Sequence, residues 1–142
     1  MRKAKIVTAD DLVSEAQVEE TCTQFLALDG WIALVTDPKQ LRGLGVTEPG
    51  IADRQYRRYS GPLPESESNT TAQIWSWAQL MFIEWKRVKN GKATKTSAKQ
   101  DAWHALERSR GFLTLRAGID FPATIEGFQK FYRASGLMRR KI

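Results

Sequence analysis

Along the first thirty residues, Val18, Cys22, Phe25 and Leu26 recur at the i, i+4, i+7, i+8 spacing of one helix face. This predicts a helix that opens near Thr8 or Asp10 and runs to about Leu28, with Gly30 as its stop. Residues 31–35 (WIALV) are an unbroken apolar run and predict a short buried strand. Residues 36–50 hold two prolines and three glycines and predict a loop. IADRQYRRY, residues 51–59, alternates as a second strand does. Residues 60–73, opening SGPLPESESNTT, are polar and turn-rich and predict a flexible loop. Residues 75–88 are the strongest strand candidate, with Trp75 and Trp77 as a lead-in, and NGK at 90–92 is a turn. Residues 97–110 predict a second helix, with Trp103 and Leu106 inward and Gly111 ending it. FLTLR at 112–116 predicts a fourth strand. Thr124 can cap a last helix with Ile125, Phe128 and Tyr132 inward, closed by Gly136. The order helix, three strands, helix, strand, helix predicts one α/β domain over residues 1–142, with a mixed four-stranded sheet and a basic tail at 138–142.

The third strand ends oddly. Leu80-Met81-Phe82-Ile83 reads as buried, yet Glu84 and Lys86 follow directly. Both are poor strand formers that are rarely buried unpaired. Their i, i+2 spacing sets them on one face of a strand. Either the strand meets water here or the pair serves chemistry.

Composition narrows the options. The net charge is +6, from 22 basic and 16 acidic residues, which favours a polyanionic partner, nucleic acid first and a membrane surface second. Cys22 is the single cysteine and His104 the single histidine, so neither an internal disulfide nor a Cys/His zinc set can form. One cysteine suits a reducing compartment. No signal peptide and no apolar run of about 20 residues is present, so a soluble, cytoplasmic protein is expected.

Asp53 opens the second strand candidate and Glu84 closes the third, so adjacent strands would bring the two carboxylates to one sheet edge. Carboxylates that close repel unless a cation joins them. Mg²⁺ or Mn²⁺, which prefer oxygen ligands, is the natural one. Lys86 can then orient a metal-bound water or help deprotonate it, which assembles the parts for phosphodiester hydrolysis. On a helical wheel Glu15 falls within the apolar stripe of the first helix and Glu19 on its border. A carboxylate there should be paired or bound; alternatively Glu15 sits in an exposed first turn, favoured by the helix dipole. Asp37-Pro38-Lys39 is a rival acid-x-Lys triplet, but Pro38 lacks the N–H a central strand needs.

The set Glu15 or Glu19 on a first helix, Pro49-Gly50-Ile51-Ala52-Asp53, Glu84-Trp85-Lys86, and Gln100 on the next helix resembles the PD-(D/E)XK nuclease superfamily. Within it the chain looks most like a stand-alone virus-type replication-repair nuclease (VRR-NUC) domain. Glu15-Ala16-Gln17-Val18-Glu19 stands where that family has E-x-x-I-Q, with Glu19 replacing the glutamine; Ala52 replaces the usual proline before the aspartate. The 31 residues from Asp53 to Glu84 are long for neighbouring motif strands, and the 60–73 loop would absorb them; otherwise Glu65 or Glu67 would be the partner. The resemblance implies a restriction-endonuclease-like fold with an αβββαβ core and a C-terminal helix. It implies a metal-dependent DNA endonuclease, most similar to Holliday-junction resolvases, acting as a homodimer on four-way junctions or flaps, of phage or bacterial origin. Asp53, Glu84 and the Trp85 backbone carbonyl would hold Mg²⁺ or Mn²⁺, with Lys86 at the water and Glu15 or Glu19 assisting. Gln100 would orient Lys86 or a phosphate. Ser97-Ala98-Lys99-Gln100 also fits a capping box, where Gln100 would serve the Ser97 N–H instead.

Six bases and no acid lie from Lys86 to Lys99, so Arg87, Lys89, Lys92, Lys95 and Lys99 are candidate phosphate contacts. Arg54, Arg57 and Arg58, beside Asp53, could clamp the other backbone. The tail Arg139-Arg140-Lys141 could do so too, or be disordered. The tryptophans read as core or interface, with Trp85 packing under the sheet; His104, at i+4 from Gln100, reads as structural, with an approach to the scissile phosphate as the alternative. Two further readings stand beside the resolvase: a duplex-cutting restriction or recombination nuclease of the same fold, and a non-catalytic nucleic-acid-binding module.

Overall fold

A computed structural model describes residues 9–35, 54–59 and 78–140. Its elements are a 3-10 turn (Ala9–Leu12), α1 (Glu15–Leu28), β1 (Ile32–Val35), β2 (Arg54–Tyr59), β3 (Ala78–Glu84), β4 (Val88–Lys89), β5 (Lys92–Ala93), α2 (Ala98–Ser109), β6 (Thr114–Arg116) and α3 (Ile125–Ala134). The main sheet has the order β1-β2-β3-β6. β1, β2 and β3 pair antiparallel, while β3 and β6 run parallel, joined through α2 as parallel strands require. The α/β class and mixed four-stranded sheet expected from the sequence are thus present.

Period-two alternation divides the sheet. Tyr56, Met81, Ile83, Trp85 and Leu115 face α1 and α3 and form the main core with Val18, Cys22, Phe25, Leu26, Phe128 and Tyr132. Trp85 is fully buried there, edge-on to Tyr56 and Phe128, and its indole N–H donates to Tyr56 Oη at 2.9 Å. Phe82 faces the other way, 5.0 Å from Trp103 of α2. Glu84, two residues on, shares the Phe82 face.

Several expected boundaries move. α1 begins at Glu15, not near Thr8 or Asp10, because Ser14 caps it: Ser14 Oγ accepts the Gln17 N–H and Gln17 Oε1 accepts the Ser14 N–H. The strand at 31–35 is not uniformly buried; Trp31 is buried just before it, but Ile32 is 46% exposed on the strand that ends the sheet among the described residues. The 75–88 strand divides into β3 and a separate β4–β5 hairpin, turned by Asn90 and Gly91 with φ of 55° and 76°, the pair of left-handed residues a tight hairpin needs. Leu106 is 48% exposed rather than inward. Residues 36–53 and 60–77 lie outside the described residues, and with them Asp53, Asp37, Lys39, Glu65, Glu67, Trp75 and Trp77.

Candidate active site at the end of β3

β3, an interior strand, ends at Glu84 and leaves it buried, with a side chain only 1% exposed. A lone buried carboxylate is costly, so its partners matter. Lys86 Nζ lies 3.3 Å from Glu84 Oε1 and is itself 14% exposed. Gln100 Nε2 donates to the same oxygen at 2.6 Å. The other end of the Gln100 amide is fixed: Oε1 accepts the Ser97 N–H at 2.9 Å, while Ser97 Oγ accepts the Gln100 N–H at 3.2 Å. The sequence offered a cap or an active-site role for Gln100. The structure shows the cap and a contact with Glu84 together, because capping through the carbonyl oxygen leaves the NH₂ able to turn onto Glu84.

The β2–β3 register pairs Arg54 with Ile83, so the start of β2 adjoins the end of β3. Arg54 Nε reaches Glu19 Oε1 at 2.5 Å. Glu19 therefore stands at the same end of the sheet as Glu84, held by the first residue of β2. Glu15 is the first residue of α1 and half-buried, the first-turn position that the dipole favours. Asp53, one peptide before Arg54, lies outside the described residues.

The basic candidates separate. Arg58 is not a phosphate contact: it is 2% exposed, donates to Asp29 Oδ2 at 2.8 Å, to Gln79 Oε1 at 2.6 Å and to the Leu137 carbonyl at 2.9 Å, and stacks over Trp31. Arg87 is half-buried, and its Nη2 donates to the Asp11 carbonyl at 2.8 Å. Arg57 is half-buried and lies over the Tyr59 ring at 5.9 Å. Lys89, Lys92, Lys95 and Lys99 are exposed on the hairpin and the approach to α2. Arg139 and Arg140 of the tail are docked through their backbone, whose N–H groups donate to Asp29, while Lys141 lies outside the described residues.

Two residues matter more than the sequence suggested. Asp29 accepts Tyr132 Oη, Arg58 and both tail amides; burial pushes its carboxyl up, but these donors outweigh it and hold it below the usual range. Arg116 is the β6 partner of Glu84, on the same face. His104 is buried edge-on to Trp103, and burial, with Arg116 nearby, pushes it down to about 4, so it stays neutral.

A hard divalent cation needs several oxygens. At the end of β3 the described residues supply one buried carboxylate, Glu84. Among the described residues no three His, Cys, Asp or Glu side chains gather as a metal site. The donors fit such an ion in kind but not in number. Among the described residues no helix is long and apolar enough to cross a membrane. Compared with family models, with curated proteins and with solved structures, the chain matches none.

Proposed function

We propose that this protein is a metal-dependent DNA endonuclease of PD-(D/E)XK type, VRR-NUC-like, acting on branched DNA as a junction resolvase does. The observation that carries the reading is the buried Glu84 carboxylate at a strand end, gripped by Lys86 at 3.3 Å and by a cap-locked Gln100 at 2.6 Å. Burying a carboxylate carries a desolvation cost that Lys86 and Gln100 offset, and an acid and a lysine set together at a strand end is the arrangement this reading needs.

In this reading Glu84, the Trp85 carbonyl and Asp53 would hold Mg²⁺ or Mn²⁺, with Glu19 or Glu15 assisting. The cation would supply charge neutralisation and an acidified water. Lys86 orients the attacking water and offsets charge on the scissile phosphate. Gln100 fixes the Glu84 carboxylate so that its second oxygen keeps one direction. Lys89, Lys92, Lys95 and Lys99 take the flanking backbone by counterion release. A homodimer would supply the two active sites that paired nicks require.

A second reading is a non-catalytic nucleic-acid-binding module. It is favoured by the same Glu84–Lys86 contact taken as a plain ion pair, with no third ligand gathered among the described residues.

The test is cleavage of labelled four-way junction, flap and linear duplex with Mn²⁺ or Mg²⁺, with EDTA and Lys86→Ala as controls. Paired nicks in the junction, abolished by EDTA and by Lys86→Ala, are the expected result. Cutting of duplex instead keeps the nuclease and changes its substrate. No cutting with salt-sensitive binding retained selects the binding module.

A further inference from the structure

Between α2 and β6, behind the candidate site, buried polar atoms stand without a protein partner. They are Nδ1 and Nε2 of His104, Oγ1 of Thr114 and Nε of Arg116, and none meets a donor or acceptor among the described residues. His104 is fully buried and Thr114 is 1% exposed. A bare polar group at that depth is costly, and native folds pair nearly all such groups with protein or with ordered water.

Their placement follows from the elements. Gln100, His104 and Arg108 stand at i, i+4 and i+8, one row along α2. Gln100 holds Glu84 at one end of the row, and Arg108 Nη2 holds the Thr114 carbonyl at the other, at 2.9 Å. His104, between them, therefore lies over β3 and β6. Thr114 and Arg116, two apart on β6, pair with Phe82 and Glu84 and share their face of the sheet. That is the face on which Trp103 of α2 packs, 5.0 Å from Phe82 and edge-on to His104. Arg116 Nη1 is taken by Asp101 at 2.8 Å, which leaves Nε as the atom in question.

These atoms differ in what they need. Arg116 Nε–H only donates, and the Thr114 hydroxyl does either. His104 is neutral, so one ring nitrogen donates and the other accepts. An anion could take the N–H groups but could not serve the accepting nitrogen, and a cation could not serve Arg116. Water both donates and accepts, and a buried water needs about two to four polar partners. We infer that α2 and β6 enclose an ordered water, which accepts from Arg116 Nε, donates to the unprotonated ring nitrogen of His104 and shares a hydrogen with the Thr114 hydroxyl. It fastens to β6 the same helix row that brings Gln100 to Glu84. The site stands on burial and on the mix of donors and acceptors, and does not rest on the nuclease reading.

His104 is the single histidine, so the nuclear magnetic resonance of its ring nitrogens can be read in the full chain without ambiguity. At pH 7 the unprotonated nitrogen should resonate upfield of a bare one, the mark of an accepted hydrogen bond. Magnetic relaxation dispersion of the solvent counts long-lived waters. Thr114→Val, which keeps the side-chain shape, should hold one fewer than the parent, while Thr114→Ser, which keeps the hydroxyl, should hold the same number. Thr114→Val should also raise the unfolding constant about five-fold, because Arg116 and His104 lose their shared partner with the water. A bare nitrogen in the parent spectrum overturns the site whether or not the variants fold. So does a water count that Thr114→Val leaves unchanged. A Thr114→Val protein as stable as the parent, or more so, overturns it too, since removing a buried hydroxyl that never had a partner costs nothing.

Discussion

Replacing Gln100 by glutamate separates its two contacts. As a cap, glutamate is at least as good as glutamine at this position, because either side-chain oxygen accepts the Ser97 N–H. As a partner of Glu84 it is the worst choice, since it puts a second carboxylate where a donor stood at 2.6 Å. Two carboxylates at about 3 Å would repel by about 5 kcal/mol at an effective dielectric of 20. The folded chain has a cheaper route at neutral pH, which is to keep one of them protonated. From an unfolded glutamate near 4.3, holding that proton costs about 1.36 kcal/mol per pH unit, hence about 3.7 kcal/mol at pH 7 and about 1 kcal/mol at pH 5. Lys86, 3.3 Å from the same oxygen, offsets part of this. The sign follows from proton counts. The folded variant holds a proton that the unfolded chain releases above about 4.3, so its stability is complete at low pH and falls as pH rises.

Gln100→Ala behaves differently. It loses the Ser97 bond, worth about 0.5–1 kcal/mol, and the bond to a buried charge, worth about 1.5–3 kcal/mol. Its loss of about 2–4 kcal/mol should be similar at pH 5 and pH 7. Urea unfolding of the three proteins, followed by tryptophan fluorescence, reads both numbers. If Gln100→Glu is as stable as the parent and flat between pH 5 and pH 7, Gln100 is a cap only. The Gln100–Glu84 contact on which the proposed site rests would then be refuted.

Three other outcomes are expected. Asp29→Ala leaves the buried Arg58 guanidinium unpaired and frees the tail amides, so it should cost about 3–5 kcal/mol in urea unfolding. The carboxyl of Asp29 is depressed in the fold, so in the parent its contribution is present above the unfolded value of 3.8 and is lost as pH falls further; an acid titration of Asp29→Asn should lack that loss. His104→Leu should flatten the acid side of the stability curve between about pH 6.5 and pH 4. A histidine depressed to about 4 stabilises fully only above its unfolded value near 6.5, and melting temperatures at pH 5 and pH 7 test this. Lys89→Ala and Lys92→Ala should each lower the salt slope of DNA binding by about 1, whereas Arg58→Ala should fail as a folding defect, seen as a lost unfolding transition and not as weaker binding.

The fates of Arg58 and Gln100 show where the sequence is legible. Helix faces were legible because they repeat: Val18, Cys22, Phe25 and Leu26 are all buried, as spacing predicts, and so are Phe128 and Tyr132. The strand chemistry was legible where alternation is strict, as in the opposite aims of Trp85 and Glu84. Arg58 was not, because RQYRRY carries three arginines that look alike in one dimension. Register then turns Arg58 inward with Tyr56 and leaves Arg57 on the other face. Its acceptor, Asp29, is 29 residues away, and the tail that completes the pocket lies about eighty residues beyond Arg58. Nothing local announces such a partnership. It forms because a buried guanidinium must find acceptors wherever the chain passes. Arg116 was missed for the same reason: TLR reads as a plain strand, and only the parallel pairing with β3 sets it beside Glu84. Gln100 is the converse case. Its capping signature is local and was visible, but S-x-x-Q recurs at Ser14–Gln17, on α1. The two boxes are indistinguishable in sequence, and only the second starts its helix where β3 ends in an acid. The cap fixes the Gln100 amide oxygen, and that fixed oxygen aims the NH₂ at Glu84. A local helix signal is thereby converted into the placement of a buried carboxylate.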